Sequence, residues 1–176
     1  MKKVATWIMT LALVFSFAAC SKGSKGEGSK ANFAGTAEGG KELVTAVQKG
    51  NADFLPSLKP SEADIAALFD PSATAQISAY VAKTYEELAK AKIGGKEGQT
   101  ELLFNTAQSD DFVAANEAAK AFPGGYTMNA AKFKPGITWY AWKYVKPGET
   151  LGMAFDGLTF VNNHWVWIPK PFRAFR

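Results

Sequence analysis

The side chains able to do chemistry are few and isolated. His164 is the only histidine and Cys20 the only cysteine among 176 residues. A lone imidazole beside the turn dipeptide Asn162-Asn163 has no second histidine or free thiol near it, so it lacks the partners of a zinc site or a nucleophilic relay. A surface or strand role is its plain reading. Asp110-Asp111 and Glu86-Glu87 are adjacent carboxylates, but neighbours on a helix point apart. The first pair suits a helix N-terminus and the second a solvated helix face. Asp156, set among aromatic residues, is where a carboxylate acquires a raised pKa and a part in proton transfer. The plainer reading of Asp156-Gly157 is a tight-turn dipeptide. A carboxylate-only metal site has no signature spacing here, and no phosphate loop, dinucleotide fingerprint or nucleophile elbow is present. No cofactor and no metal are expected.

The more informative chemistry is apolar. Strand residues alternate faces, which puts Tyr140, Trp142 and Tyr144 on one side of their strand and Ile137, Trp139, Ala141 and Val145 on the other. If Asn162-Asn163 is a two-residue turn, Phe160 lies opposite Trp165 and Leu158 opposite Trp167, with Thr159, Val161, His164 and Val166 facing away. A sheet solvated on one side alternates cleanly between apolar and polar; this one does not, so something covers or fills its second face. Either helices cover one side while the sheet's curl and the C-terminal tail bury the other, or Tyr140, Trp142, Tyr144, Asp156, Trp165 and Trp167 line a site for an apolar small molecule or a protein partner. The leading expectation is a non-catalytic binding domain. A small hydrolase or isomerase using Asp156 or His164 as acid–base is the alternative, and a structural envelope component is a third.

The elements that position these residues divide into two halves. Helices are expected over residues 41–49, from Ser61 with Asp64 completing a capping box, and from Asp70-Pro71 through Ile77, Tyr80, Val81, Thr84 and Leu88 to the stop at Gly94-Gly95. A strand over 101–105 precedes a helix capped by Ser109, with Phe112, Ala115, Ala119 and Phe122 on one face and Pro123-Gly124-Gly125 ending it. Strands follow at 126–129, 137–146, 149–155, 158–161 and 164–168, joined by Pro147-Gly148, Asp156-Gly157 and Asn162-Asn163. The tail, residues 169–176, carries two prolines and cannot continue a central strand. It either lays Phe172 and Phe175 on the domain or offers Arg173 and Arg176 to an acidic partner.

The N-terminus carries an address. Lys2 and Lys3 precede an uncharged apolar run over residues 4–19, the pattern of an export signal. The run contains Thr6, Thr10 and Ser16 and is short for a permanent span of roughly 20 apolar residues. Phe17-Ala18-Ala19-Cys20 resembles the lipobox of bacterial lipoproteins, with Phe17 where leucine is usual. The resemblance implies cleavage before Cys20, a diacylglyceryl group on its thiol and attachment to a membrane through that lipid. Ser21 in the following position implies sorting to the outer membrane. Residues 21–32 hold no large apolar side chain and read as a flexible tether with a reach of about 20 Å.

Charge sharpens the division. Of 20 lysines and arginines, five (Lys2, Lys3, Lys22, Lys25, Lys30) precede Phe33, as does one of 16 acidic residues, Glu27, so the remainder balances at 15 each. A neutral domain has no footprint for nucleic acid. With Cys20 acylated no thiol remains for a disulfide, and stability rests on packing. The chain thus reads as a signal peptide (1–19), a lipidated cysteine and tether (20–32) and one α+β domain (33–176), with N-terminal helices packed on a C-terminal curved antiparallel sheet. That order is similar to nuclear-transport-factor-2-like and cystatin-like rolls. The stretches 152–158 and 165–171 resemble uncharacterised bacterial envelope proteins, a likeness that implies no activity.

Overall fold

The computed structural model describes residues 33–50 and 53–176. The expected signal peptide, Cys20 and the tether lie outside the described residues. The domain is α+β: helices come first and a four-stranded antiparallel open sheet closes the chain, in the order β1-β2-β3-β4. Its strands are β1 (Glu101–Gln108), β2 (Thr138–Val145), β3 (Gly152–Val161) and β4 (His164–Trp167). Among the described residues no helix is long and apolar enough to cross a membrane.

Helices cover both faces of this sheet. On one side, Leu43, Val44 and Val47 of α1 (Ala37–Gln48), with Phe54 and Leu58, pack on Tyr140, Trp142, Tyr144, Leu158, Trp165 and Trp167. α1 starts four residues before the expected helix, capped by Thr36, whose Oγ1 accepts the Gly39 N–H. Gly39 and Gly40 obscure this start, because glycine disfavours helix. Contact explains them: a Cβ on Gly39 would lie 2.0 Å from the Ala34 carbonyl oxygen, and one on Gly40 2.9 Å from the Trp165 ring.

On the other side, α2 (Glu62–Leu68), α3 (Thr74–Leu88) and three short helices bury Ile65, Phe69, Ile77, Phe112 and Tyr126 against Trp139, Ala141, Val166 and Ile168. Ser61 and Asp64 form the expected capping box of α2. Asp70 does not cap α3 directly; its carboxylate accepts from the Ser72 N–H and hydroxyl in a turn that precedes Thr74. The tail packs here too, through Phe172, so α1 and residues 54–58 cover the face the tail was expected to bury.

Three expectations are corrected. The helix expected from Ser109 to Phe122 is two, α4 (Ser109–Ala114) and α5 (Glu117–Lys120), broken where Ala115 turns left-handed (φ 51°) and Asn116 caps the second. Gln108 rather than Ser109 is the first cap; buried Ser109 instead accepts the Trp139 indole N–H at 3.1 Å. Residues 126–129 are no strand: Gly125–Met128 is a helical turn, α6, which inserts Tyr126 between Phe112, Phe133 and Phe172 at ring distances of 4.8 to 5.4 Å.

The third concerns Asp156-Gly157, which is not a turn. Residues 152–161 form the single strand β3, and Tyr140 pairs with Leu158 while Ala141 pairs with Asp156, leaving Gly157 as the extra residue of a bulge. Gly157 has φ 85°, and a Cβ there would lie 1.9 Å from the Ile168 carbonyl oxygen, so only glycine fits. The bulge shifts the side-chain alternation by one. Phe155 and Leu158 consequently share the α1 side, while Asp156 and Thr159 share the other. The Asn162-Asn163 hairpin forms as expected, both residues at positive φ, with Phe160 opposite Trp165 and Leu158 opposite Trp167.

Candidate functional site

The structure gathers five of the candidate residues into one layer. Tyr140, Trp142, Tyr144, Trp165 and Trp167 all lie beneath α1 and residues 54–58, each nearly enclosed. Most of their polar groups are committed within the chain. The Tyr144 hydroxyl donates to the Val44 carbonyl at 2.6 Å, the Trp165 indole to the carbonyls of Phe33 and Ala34, and the Trp167 indole to the Asp156 carbonyl at 2.9 Å. Burial pushes the Tyr144 phenol up to about 12 and raises that of Tyr140. Trp142 differs: its indole N–H is buried without a partner among the described residues. The aromatic face is therefore core, and any accessible site lies at its margins.

Asp156, the sixth candidate, faces the opposite side and is 4% exposed. Its Oδ1 accepts from the Tyr126 hydroxyl at 3.0 Å and from the Lys170 backbone N–H at 2.9 Å. Among the described residues no donor reaches Oδ2. Burial raises the Asp156 carboxyl above its ordinary value, and the donors together with nearby Lys170 and Arg173 only partly oppose this. The phenol of Tyr126, wholly enclosed and beside this carboxylate, is held far above its usual range.

Local sequence explains why a carboxylate sits there. Pro169 and Pro171 end β4 and turn the chain away, with Lys170 left-handed at φ 49°. The Ile168 N–H bonds the Gly157 carbonyl, the Tyr80 hydroxyl donates to the Pro169 carbonyl at 2.7 Å, and Asp156 holds the Lys170 N–H. Asp156 thus pins the start of the tail, and its second oxygen remains unused.

A cleft of about 540 Å³ opens beside it, lined on one wall by Met153 to Asp156 and on the other by α3 and the tail. The end toward the aromatic layer is apolar, with Leu88, Ile93, Met153, Phe155 and Trp167; the other end carries Lys83, Glu87, Lys170 and Arg173. Asp156 also borders a smaller hollow of about 250 Å³ toward Lys120 and Lys143. Comparison with protein-family models, curated proteins and solved structures finds no match. The site must be read from its own geometry.

His164, 45% exposed at its side chain, belongs to a different cluster. Its Nε2 lies 3.1 Å from Asp64 Oδ2 and its Nδ1 3.1 Å from the Asn162 carbonyl. Asp64 also accepts from the Ser61 N–H and hydroxyl and from the Asn162 amide. The hydroxyl of Ser61 is bonded to the carboxylate and not to the imidazole, so the trio is not a nucleophilic relay. It clamps the β3–β4 hairpin to the start of α2. Among the described residues no group of three His, Cys, Asp or Glu side chains converges as a metal site. Periodicity identified the aromatic positions; the cleft was missed because α3, β3 and the tail build it together from distant segments.

Proposed function

We propose that this chain is a lipid-anchored protein of the bacterial cell envelope, exported on residues 1–19, acylated at Cys20 and held at the outer membrane. Its domain is a non-catalytic binding module that takes an amphipathic ligand, either a small molecule or part of an envelope protein, in the cleft beside Asp156. The observation that carries the binding reading is a buried carboxylate with one oxygen unused, set at the border of a cleft that is apolar at one end and charged at the other. The volume falls within the usual range for ligand sites, roughly 300–1,000 Å³.

A catalytic role is less well supported. Acid–base chemistry needs two groups converging on a reacting atom. Tyr126, the titratable partner that Asp156 contacts, is enclosed and already donates to it. The finer architectural reading, a nuclear-transport-factor-2-like or cystatin-like roll, draws support from the meander and the long helix α3 beside it.

Two experiments test the proposal. A Cys20→Ser precursor should lose acylation and fractionate away from membranes; unchanged processing and attachment would refute the anchor. For the module, an apolar anionic dye such as anilinonaphthalene sulfonate should bind the full-length protein in one saturable step that Leu88→Glu weakens at least tenfold. Binding indifferent to that change would place the site elsewhere.

A further inference from the structure

The wall of the cleft formed by residues 153–156 is an unfinished sheet. β4 pairs with β3 only from Leu158 to Val161, because the prolines after Trp167 turn the chain away. The half of β3 from Gly152 to Asp156 therefore has β2 on one side and no strand on the other. The Asp156 carbonyl points to the open side, where the Trp167 indole caps it. Strand backbone alternates, so the N–H and C=O of Ala154, two residues earlier, face the same way. Among the described residues no backbone or side chain outside the sheet bonds to them. Ala154 is exposed.

The two ends of the cleft match the two faces of a strand placed there. Successive side chains of an added strand point to opposite sides. One set would meet Leu88, Ile93, Met153 and Phe155, and the other Lys83, Lys170 and Arg173. Among the described residues none of those three cations is in an ion pair. Glu87 on the far wall and Asp156, whose two donors both reach Oδ1, are the opposing charges, so three cations face two carboxylates across the cleft.

We infer that the cleft binds an extended peptide as an additional strand along residues 152–156 of β3, with apolar side chains toward Phe155 and acidic ones toward Lys170 and Arg173. Main-chain hydrogen bonds to Ala154 supply affinity, and the two ends of the cleft supply the preference for alternating chemistry. The inference rests on the binding-module reading and names its ligand class as a segment of an envelope protein.

The test uses the full-length protein in detergent and two acetylated seven-residue peptides, one alternating valine with glutamate and one alternating valine with lysine. The glutamate peptide should bind at least tenfold more tightly than the lysine peptide and slow hydrogen exchange at the Ala154 amide. Ala154→Pro removes the outward N–H at an edge that tolerates proline; it should cut binding at least tenfold with an unchanged melting temperature. If that variant is destabilised, Arg173→Glu serves instead and should reverse the preference between the peptides. Peptide binding that ignores both variants, or that protects no amide of β3, overturns strand addition. If neither peptide binds while the dye still enters the cleft, the inference fails and the binding module stands. If dye and peptides both fail to bind, both readings fall.

Discussion

Asp64 and Asp156 are the same residue type, 1% and 4% exposed, in one domain, yet their surroundings push them in opposite directions. Burial alone would raise the Asp64 carboxyl, but the Ser61 hydroxyl and N–H, the Asn162 amide and His164 outweigh it and hold it low. Asp156 has two donors, both on Oδ1, and burial prevails. A carboxylate whose two oxygens are both occupied is a clamp. One that keeps an oxygen open retains capacity for something from outside the chain, and the cleft lies beside that one.

The bulge that sets the side on which Asp156 lies is the most sensitive point. Gly157→Ala forces a Cβ against the Ile168 carbonyl at positive φ and should cost roughly 3 kcal/mol or more in urea unfolding. A near-neutral result would mean that the bulge relaxes and does not fix the side on which Asp156 lies. Asp64→Ala leaves the Ser61, Asn162 and His164 groups without their acceptor and should cost about 3 kcal/mol at pH 7.

The pH dependence of that loss has a definite sign. The folded value of Asp64 lies below the ordinary 3.8, so its contribution is complete above 3.8 and disappears as pH falls through the depressed value. The gap between wild type and Asp64→Ala should close in strong acid. Asp156 runs the other way. Its folded value is raised, so its contribution is largest below 3.8 and declines as pH rises through the raised value.

Asp156→Asn keeps an acceptor for Tyr126 and Lys170 and should gain on wild type as pH rises above 3.8, whereas Asp156→Ala should lose about 1–2 kcal/mol at pH 7. If the asparagine and alanine variants behaved alike, the pinning of the tail would not depend on these bonds. The smallest effect belongs to the aromatic layer. Trp142→Phe deletes an indole N–H that has no partner among the described residues, so its melting temperature should correspond to a change within about 1 kcal/mol of wild type. Trp139→Phe, which breaks a bond to Ser109, should cost more.

What the amino-acid sequence revealed follows from how local each feature is. Ser61 and Asp64 stand three residues apart and meet within one helical turn, so their capping box was legible. The same holds for Asn162-Asn163, whose side chains tolerate left-handed backbone and set the pairing of Phe160 with Trp165. Asp156-Gly157 was misread because glycine at positive φ serves a tight turn and a bulge equally. The choice between them is made by Ile168 and Tyr126, 11 and 30 residues away. Tyr126 itself reads as strand by type, but three neighbouring rings hold it in a helical turn. The helical glycines of α1 are likewise explained only by Ala34 and Trp165.

The entry of the chain into the domain bears on how the whole protein would stand at a surface. Phe33 packs on Phe54, and the Trp165 indole holds the carbonyls of Phe33 and Ala34, which places the first described residue beside the β3–β4 hairpin. Ala154 lies six residues back along β3 from Phe160, roughly 20 Å by strand rise. If Cys20 carries a lipid, the anchor joins the domain at its hairpin end, about one strand length from Ala154.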